Sequence, residues 1–207
     1  MKNLNTYIQE NTCVNEKLTI VHKSYSCSPG TKEELIEIIK ERLEKNPKAD
    51  LNDIDVSSIT DMSELFADLD PYNIDISKWD MSNVQNTYAM FYNCNNFNSD
   101  LSAWDVSNVE NMSSMFWRCE NLDSDLSAWN VSKVENMEEM FYGCKKFNSD
   151  LSSWDVSNVN NIFTMFYGCE SLCQNFDKWK IRKNTTTTFA FGGCHSMKKF
   201  PKWYARH

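Results

Sequence analysis

The chain has 207 residues, of which 41% are hydrophobic and 13% aromatic, with only five Gly and four Pro. Such a composition can bury one sizeable core, and it excludes low-complexity sequence and enzymes built on Gly-rich phosphate loops. The net charge of −8 is unevenly spread: no acid follows Asp177, so residues 178–207 carry +8 and residues 1–177 carry −16. An acidic body of this kind argues against direct nucleic-acid binding and favours cationic protein surfaces.

In chain order, the first regular pattern is the run Leu18-Thr19-Ile20-Val21-His22, which reads as a strand opening a sheet. The first residues hold no apolar stretch of signal-peptide length, and no run of about 18 apolar residues occurs anywhere. The expectation is therefore no membrane insertion and a cytoplasmic location for the chain as written; a missing export signal would allow the cell surface. Thr31 opens a helix, because Glu34 three residues later completes a capping box. Leu35, Ile38, Ile39 and Leu43 come after it at helical spacing, Lys45 suits the negative end of the helix dipole, and Asn46-Pro47 is a stop. The apolar stripe of the helix over 31–45 needs a surface to lie on and is expected to cap the first of the repeats that begin near residue 54.

From residue 54 onward the chain repeats itself. Trp stands at 79, 104, 129, 154 and 179 and Cys at 94, 119, 144, 169 and 194, a fixed period of 25 residues. A period in this range means stacked coils that bury a core only together. The first copy is degenerate, with Ile54 in the Trp place, and the last, from Trp179, carries Thr at 185–188. Within a coil Trp104 and Val106 alternate with Asp105 and Ser107, as in a short strand with one buried face. Met112, Met115 and Phe116 are spaced as on a helical turn. These patterns predict an α/β, leucine-rich-repeat-like solenoid of about six 25-residue coils with a parallel sheet on one face and an N-terminal capping helix. The domain organisation predicted is an N-terminal segment with that helix at 1–53, the repeats at 54–203 and a tail at 204–207.

The pattern W-D-V-S-N-V-x-N-M-x-x-M-F-x-x-C-x-x-F-N-x-D-L-S, preceded by T-K-E-E-L at 31–35 and D-L-N-D-I-D at 50–55, resembles the BspA-type leucine-rich-repeat-like proteins of mycoplasmas and host-associated bacteria. The resemblance covers about residues 31–200. It implies the solenoid fold and a surface or adhesive role, although this sequence has no lipoprotein signal.

Several columns are candidates for chemistry. The Cys column reads as core, with its thiols reduced. Cys169, Cys173, Cys194 and His195 come nearest to a metal-ligand set, but Cys194 and His195 are adjacent and tend to face opposite ways, so no metal or cofactor is expected. Asp75, Asp100, Asp125 and Asp150 sit in turns where an Asx hydrogen bond is the expected role. A second acidic column, Asp55, Asp80, Asp105 and Asp155, is broken by Asn130 and Lys180; its Asp80, Asp105 and Asp155 with the aromatic column Tyr92, Trp117, Tyr142 and Tyr167 form the candidate partner-binding set. With three His, at 22, 195 and 207, and no catalytic motif, the chain does not read as an enzyme. The function expected is a non-enzymatic protein–protein interaction module of binding or adhesion type, its partner a protein of unknown identity. The alternative is an intracellular inhibitor, phage- or mobile-element-encoded, whose acidic body blocks a basic nucleic-acid-binding surface of a host or defence enzyme. The oligomeric state stays open, since acidic body and basic end have the charges to pair head to tail.

Overall fold

The computed structural model describes residues 25–72 and 74–204; the strand expected at 18–22 lies outside them. Helix α1, Lys32–Lys45, starts and stops where the sequence signals stand. Thr31 Oγ1 accepts from Glu34 N at 3.2 Å, while the Glu34 carboxylate reaches back one residue further than in the usual box, to Gly30 N at 2.8 Å. Leu35 and Ile39 are fully buried in the core. Arg42 pairs with Asp53 at 3.0 Å and Lys32 with Asp61 at 3.4 Å, which tie α1 to the first coil.

The expected α/β leucine-rich-repeat-like solenoid with a parallel sheet is overturned. Among the described residues α1 is the one helix, and no strand forms; parallel pairing is confined to isolated single-residue bridges, Asp61 to Asn86, Asn86 to Asn111, Asn111 to Asn136, Asn136 to Asn161 and Asn161 to Thr186 among them. The coils are instead stacked ribbons of turns. The physical reason lies in the backbone on the far side of each bridge. Ser114 and Arg118 have φ of 53° and 55°, and their counterparts in the other coils, among them Glu64, Ala89, Glu139, Thr164 and Phe189, repeat this left-handed conformation. A strand needs consecutive extended residues, and two left-handed residues four apart forbid them there; the expected strand itself, at 104–107, is cut short by turns on either side, closed by Trp104 N on the Leu101 carbonyl at 3.1 Å and by Val109 N on the Val106 carbonyl at 3.0 Å.

What replaces the sheet is an alternation of hydrogen bonds. Met112, Ser114, Phe116 and Arg118 donate their N–H groups forward to the carbonyls of Asn136, Glu138, Met140 and Tyr142, at 2.7–2.9 Å. The intervening N–H groups of Met115, Trp117 and Cys119 close turns onto Met112, Ser114 and Phe116 at 2.9–3.3 Å. The peptide unit that donates from Met112 also accepts, at the Asn111 carbonyl, from Thr87 at 3.0 Å. Four columns of peptide units therefore run through the stack with every N–H pointing toward the C-terminal coils. This satisfies the backbone without a sheet.

The interior of the stack is aromatic. Phe66, Phe91, Phe116, Phe141, Phe166 and Phe191 stack with centroids 5.2–5.7 Å apart and planes within 14°. Trp104, Trp129 and Trp154 stack beside them at 6.4 Å. Offset-stacked pairs contribute about 0.5–1.5 kcal/mol beyond their burial. The Trp and Cys columns also supply donors. Each Trp indole N–H bonds a carbonyl in the preceding coil, as Trp104 does to Ile76 at 3.0 Å, and each column thiol does the same, as Cys119 does to Phe91 at 3.1 Å. Trp203 belongs to the Trp column too: it stacks on Trp179 at 6.2 Å and bonds the Phe176 carbonyl at 2.8 Å. The sequence period hides it, because Trp203 falls one residue short of the 25-residue repeat.

Candidate functional site

The aromatic column is assembled by the turn ribbon. Tyr92, Trp117, Tyr142 and Tyr167 each follow a buried core Phe and stand one before a left-handed residue, which turns them away from the core. The structure brings all four together. Ring centroids lie 4.4, 5.5 and 5.1 Å apart in order, with planes within 13°. The first three are half-buried and Tyr167 is exposed. Their faces are largely spent on one another, so the column offers ring edges and hydroxyls outward. Small residues end it at the same register, Ala67 and Gly192. A Cβ on Gly192 would meet the Tyr167 ring at 2.6 Å, so the ring fills the place that a side chain would take.

The charges beside this ladder are not those expected. Arg118 lies over the Trp117 ring, 4.5 Å from its centroid. Its stem occupies the space over Gly143, where a Cβ would stand 3.3 Å from Arg118 Cγ. Burial raises the Tyr92 hydroxyl above its ordinary pKa, and the charges of Asp68 and Glu139 raise it further. Glu139 also accepts from Ser114 Oγ at 3.3 Å. Arg118, Asp68 and Glu139 are thus neighbours of the ladder that sequence reasoning missed. Their registers are mixed, Asp68, Asn93, Arg118 and then glycines in one and Glu64, Ala89, Ser114, Glu139, Thr164 and Phe189 in the other, so no column marks them.

Asp80, Asp105 and Asp155 are each engaged in their own turn. Their Oδ1 atoms accept from the N–H of Ser82, Ser107 and Ser157 at 3.0–3.1 Å, and Asn130 does the same for Ser132 at 3.2 Å. Hydrogen bonds from Ser107 and Ser157 hold the Asp105 and Asp155 carboxyls below the usual carboxylate range. Asp75, Asp100, Asp125 and Asp150 make equivalent bonds to Ser77, Ser102, Ser127 and Ser152 at 2.9–3.0 Å. Both acidic columns are Asx turns, and their Oδ2 atoms are the part left for solvent or a partner.

The cysteines do not gather. Cys169 and Cys194 donate to Phe141 and Phe166 carbonyls at 3.0 Å, whereas Cys173 is exposed and reaches Asn148 Oδ1 at 3.5 Å. Among the described residues no three His, Cys, Asp or Glu are grouped to hold a metal ion, and no helix is long and apolar enough to cross a membrane.

With this geometry established, the kinship is plain. Residues 37–142 and 99–203 each match the profile of a family described as Mycoplasma protein of unknown function, DUF285. The chain belongs to this family. The two overlapping matches run from the second turn of α1 through Trp203, so this DUF285 chain is a bacterial-type repeat protein over nearly all its described length. No curated protein sequence and no solved structure matches it.

Proposed function

We propose that the chain is a non-enzymatic protein-interaction module that binds a protein partner along the edge of the Tyr92, Trp117, Tyr142 and Tyr167 ladder. One observation carries this reading: four aromatic side chains, half-buried or exposed, are stacked into a rigid row with Arg118 over one of them. Tyr, Trp and Arg dominate binding hot spots, and rings already fixed by their neighbours lose little freedom on association. Asp68 and Glu139 add negative charge for a cationic residue of the partner. The W-D-V-S-N-V pattern shared with BspA-type proteins supports kinship with that binding and adhesive group.

The test is capture from a lysate of the native host by the intact chain and by Trp117→Ala, both checked for a native circular-dichroism spectrum. The reading expects a protein retained by the intact chain in high-salt washes and lost with Trp117→Ala. Equal capture by both chains contradicts it. A basic nucleic-acid enzyme released by salt and indifferent to Trp117→Ala supports the inhibitor alternative instead.

A further inference from the structure

The aromatic ladder repeats from coil to coil, but one coil departs from the rest. The coil of residues 104–128 carries the ladder's only Trp, Trp117, and beside it the only arginine of the next register, which runs Asp68, Asn93, Arg118, Gly143, Gly168, Gly193. The two are fitted to each other. Indole is the best aromatic partner for a cation, and the Arg118 guanidinium lies over it at 4.5 Å from the ring centroid. The stem is placed as well, because Gly143 leaves the room that it fills; a Cβ there would stand 3.3 Å from Arg118 Cγ.

Stacking holds the guanidinium without using its donors. Of the three described arginines, Arg42 bonds Asp53 and Arg182 bonds Asn158, whereas Arg118 makes no side-chain hydrogen bond and no ion pair among the described residues. The acids that act on the ladder are engaged elsewhere: Asp68 Oδ1 accepts from Asn93 Nδ2 at 2.8 Å, and Glu139 Oε2 from Ser114 Oγ at 3.3 Å. Arg118 is exposed, so its N–H fork is offered to whatever meets the ladder.

We propose that Arg118 sets the specificity of the ladder by seating a carboxylate side chain of the partner, an Asp or Glu on a segment laid against the ring edges. A planar guanidinium matches a carboxylate with two parallel hydrogen bonds, and one already stacked loses little freedom in making them. A singly charged carboxylate suits the place better than a phosphate, because Asp68 and Glu139 repel a second negative charge. Those two acids in turn attract a cation, so the matching epitope carries both signs. A single-stranded nucleic acid is a poorer fit, since the ring faces on which its bases would stack are taken up by neighbouring rings at 4.4–5.5 Å. The inference rests on the interaction-module reading and names what the ladder selects.

The test is selection from a displayed library of random, unphosphorylated peptides with the full chain as bait. Peptides held by the intact chain and released by Trp117→Ala are expected to share an Asp or Glu at one position. For a synthetic copy of such a peptide, Arg118→Gln and replacement of that acid by its amide are each expected to weaken binding about tenfold, and the two together no more than either alone. Arg118→Lys keeps the charge without the fork and is expected to fall between. Circular dichroism checks that each variant keeps the native fold. Ladder-bound peptides with no common acid, or an acid whose replacement costs as much against Arg118→Gln as against the intact chain, would overturn the proposal and leave the ladder as the binding surface. A single-stranded oligonucleotide bound by the intact chain and lost with Arg118→Gln would overturn it in favour of phosphate. Peptides indifferent to both Trp117→Ala and Arg118→Gln, or no peptide selected, would count against the ladder itself and the proposal with it.

Discussion

Trp129 donates its indole N–H to the carbonyl of Leu101 at 2.9 Å, and that same carbonyl closes a turn by accepting from Trp104 N at 3.1 Å. One buried oxygen thus fixes both the shape of its own coil and the seating of the next. Trp129→Phe keeps an aromatic ring but loses the second donor, and a loss of about 0.5–1.5 kcal/mol is expected for the hydrogen bond. Trp129→Ala adds a cavity and is expected to cost about 3–5 kcal/mol. Urea midpoints of the two variants check the order; a Phe variant as stable as the parent removes the indole N–H from the account of stability.

The thiol column makes a second prediction. Burial pushes Cys94 and Cys194 up to about 12, and Cys119, Cys144 and Cys169 also well above the ordinary thiol value. A thiol held protonated and enclosed is a poor nucleophile. With a disulfide-exchange reagent at about pH 8, near the ordinary thiol pKa, among the described cysteines exposed Cys173 is expected to react first and half-buried Cys27 after it, while the column thiols react only once the chain is unfolded. Modification of Cys144 at the native-state rate of Cys173 contradicts the stacked core.

Much of this is legible in the residues, and the failures have a cause. Trp104 and Val106 are buried and Asp105 exposed, as the alternation requires, and the Phe, Met and Cys columns are the core. Alternating burial reads as a strand, yet it constrains side chains and not backbone angles. The spacing of Met112, Met115 and Phe116 reads as a helical turn because nothing about Ser114, or about Glu64, Ala89, Glu139, Thr164 and Phe189 in its column, favours positive φ. The readable trace stands four residues on, where Gly143, Gly168 and Gly193 recur at the repeat period with φ of 71–74°. In the candidate site the ladder comes from periodicity, whereas Asp68, one coil before Tyr92, and Glu139, two coils after it, act on its hydroxyl and leave no mark in any one repeat.

Thr164 is the least comfortable member of the left-handed column. It is β-branched at φ 48°, and its buried hydroxyl has no hydrogen-bond partner among the described residues. The left-handed conformation costs a residue with a Cβ about 1–2 kcal/mol, and an unsatisfied buried hydroxyl adds to that. Thr164→Gly removes both terms against a gain in unfolded-state entropy of about 1 kcal/mol. Net stabilisation of about 1 kcal/mol is expected, read as a raised urea midpoint; destabilisation would mean that the hydroxyl and methyl contribute packing that outweighs the strain.

The Asx turns set the acid limb of stability. Hydrogen bonds from Ser102, Ser107, Ser127, Ser152 and Ser157 lower the pKa of Asp100, Asp105, Asp125, Asp150 and Asp155. A folded pKa below the unfolded value of about 3.9 contributes stability that is present above that value and lost as pH falls through the folded one. The urea midpoint is therefore expected to hold near neutral pH and drop below about pH 4. Asp105→Asn keeps the turn, as Asn130 does naturally, and is expected to flatten that drop. An equally steep loss in the variant would assign the acid limb to other groups.

Hydrogen exchange resolved at single amides probes the one-way columns most directly. Stacked turns require Ile162, Thr164, Phe166 and Gly168 to be protected to the level of the core, and Thr187, Phe189 and Gly193 one coil later, which have no acceptor among the described residues, to exchange much faster. Equal protection of both rows, or rapid exchange of the first as in an unstructured loop, would contradict the stack as described.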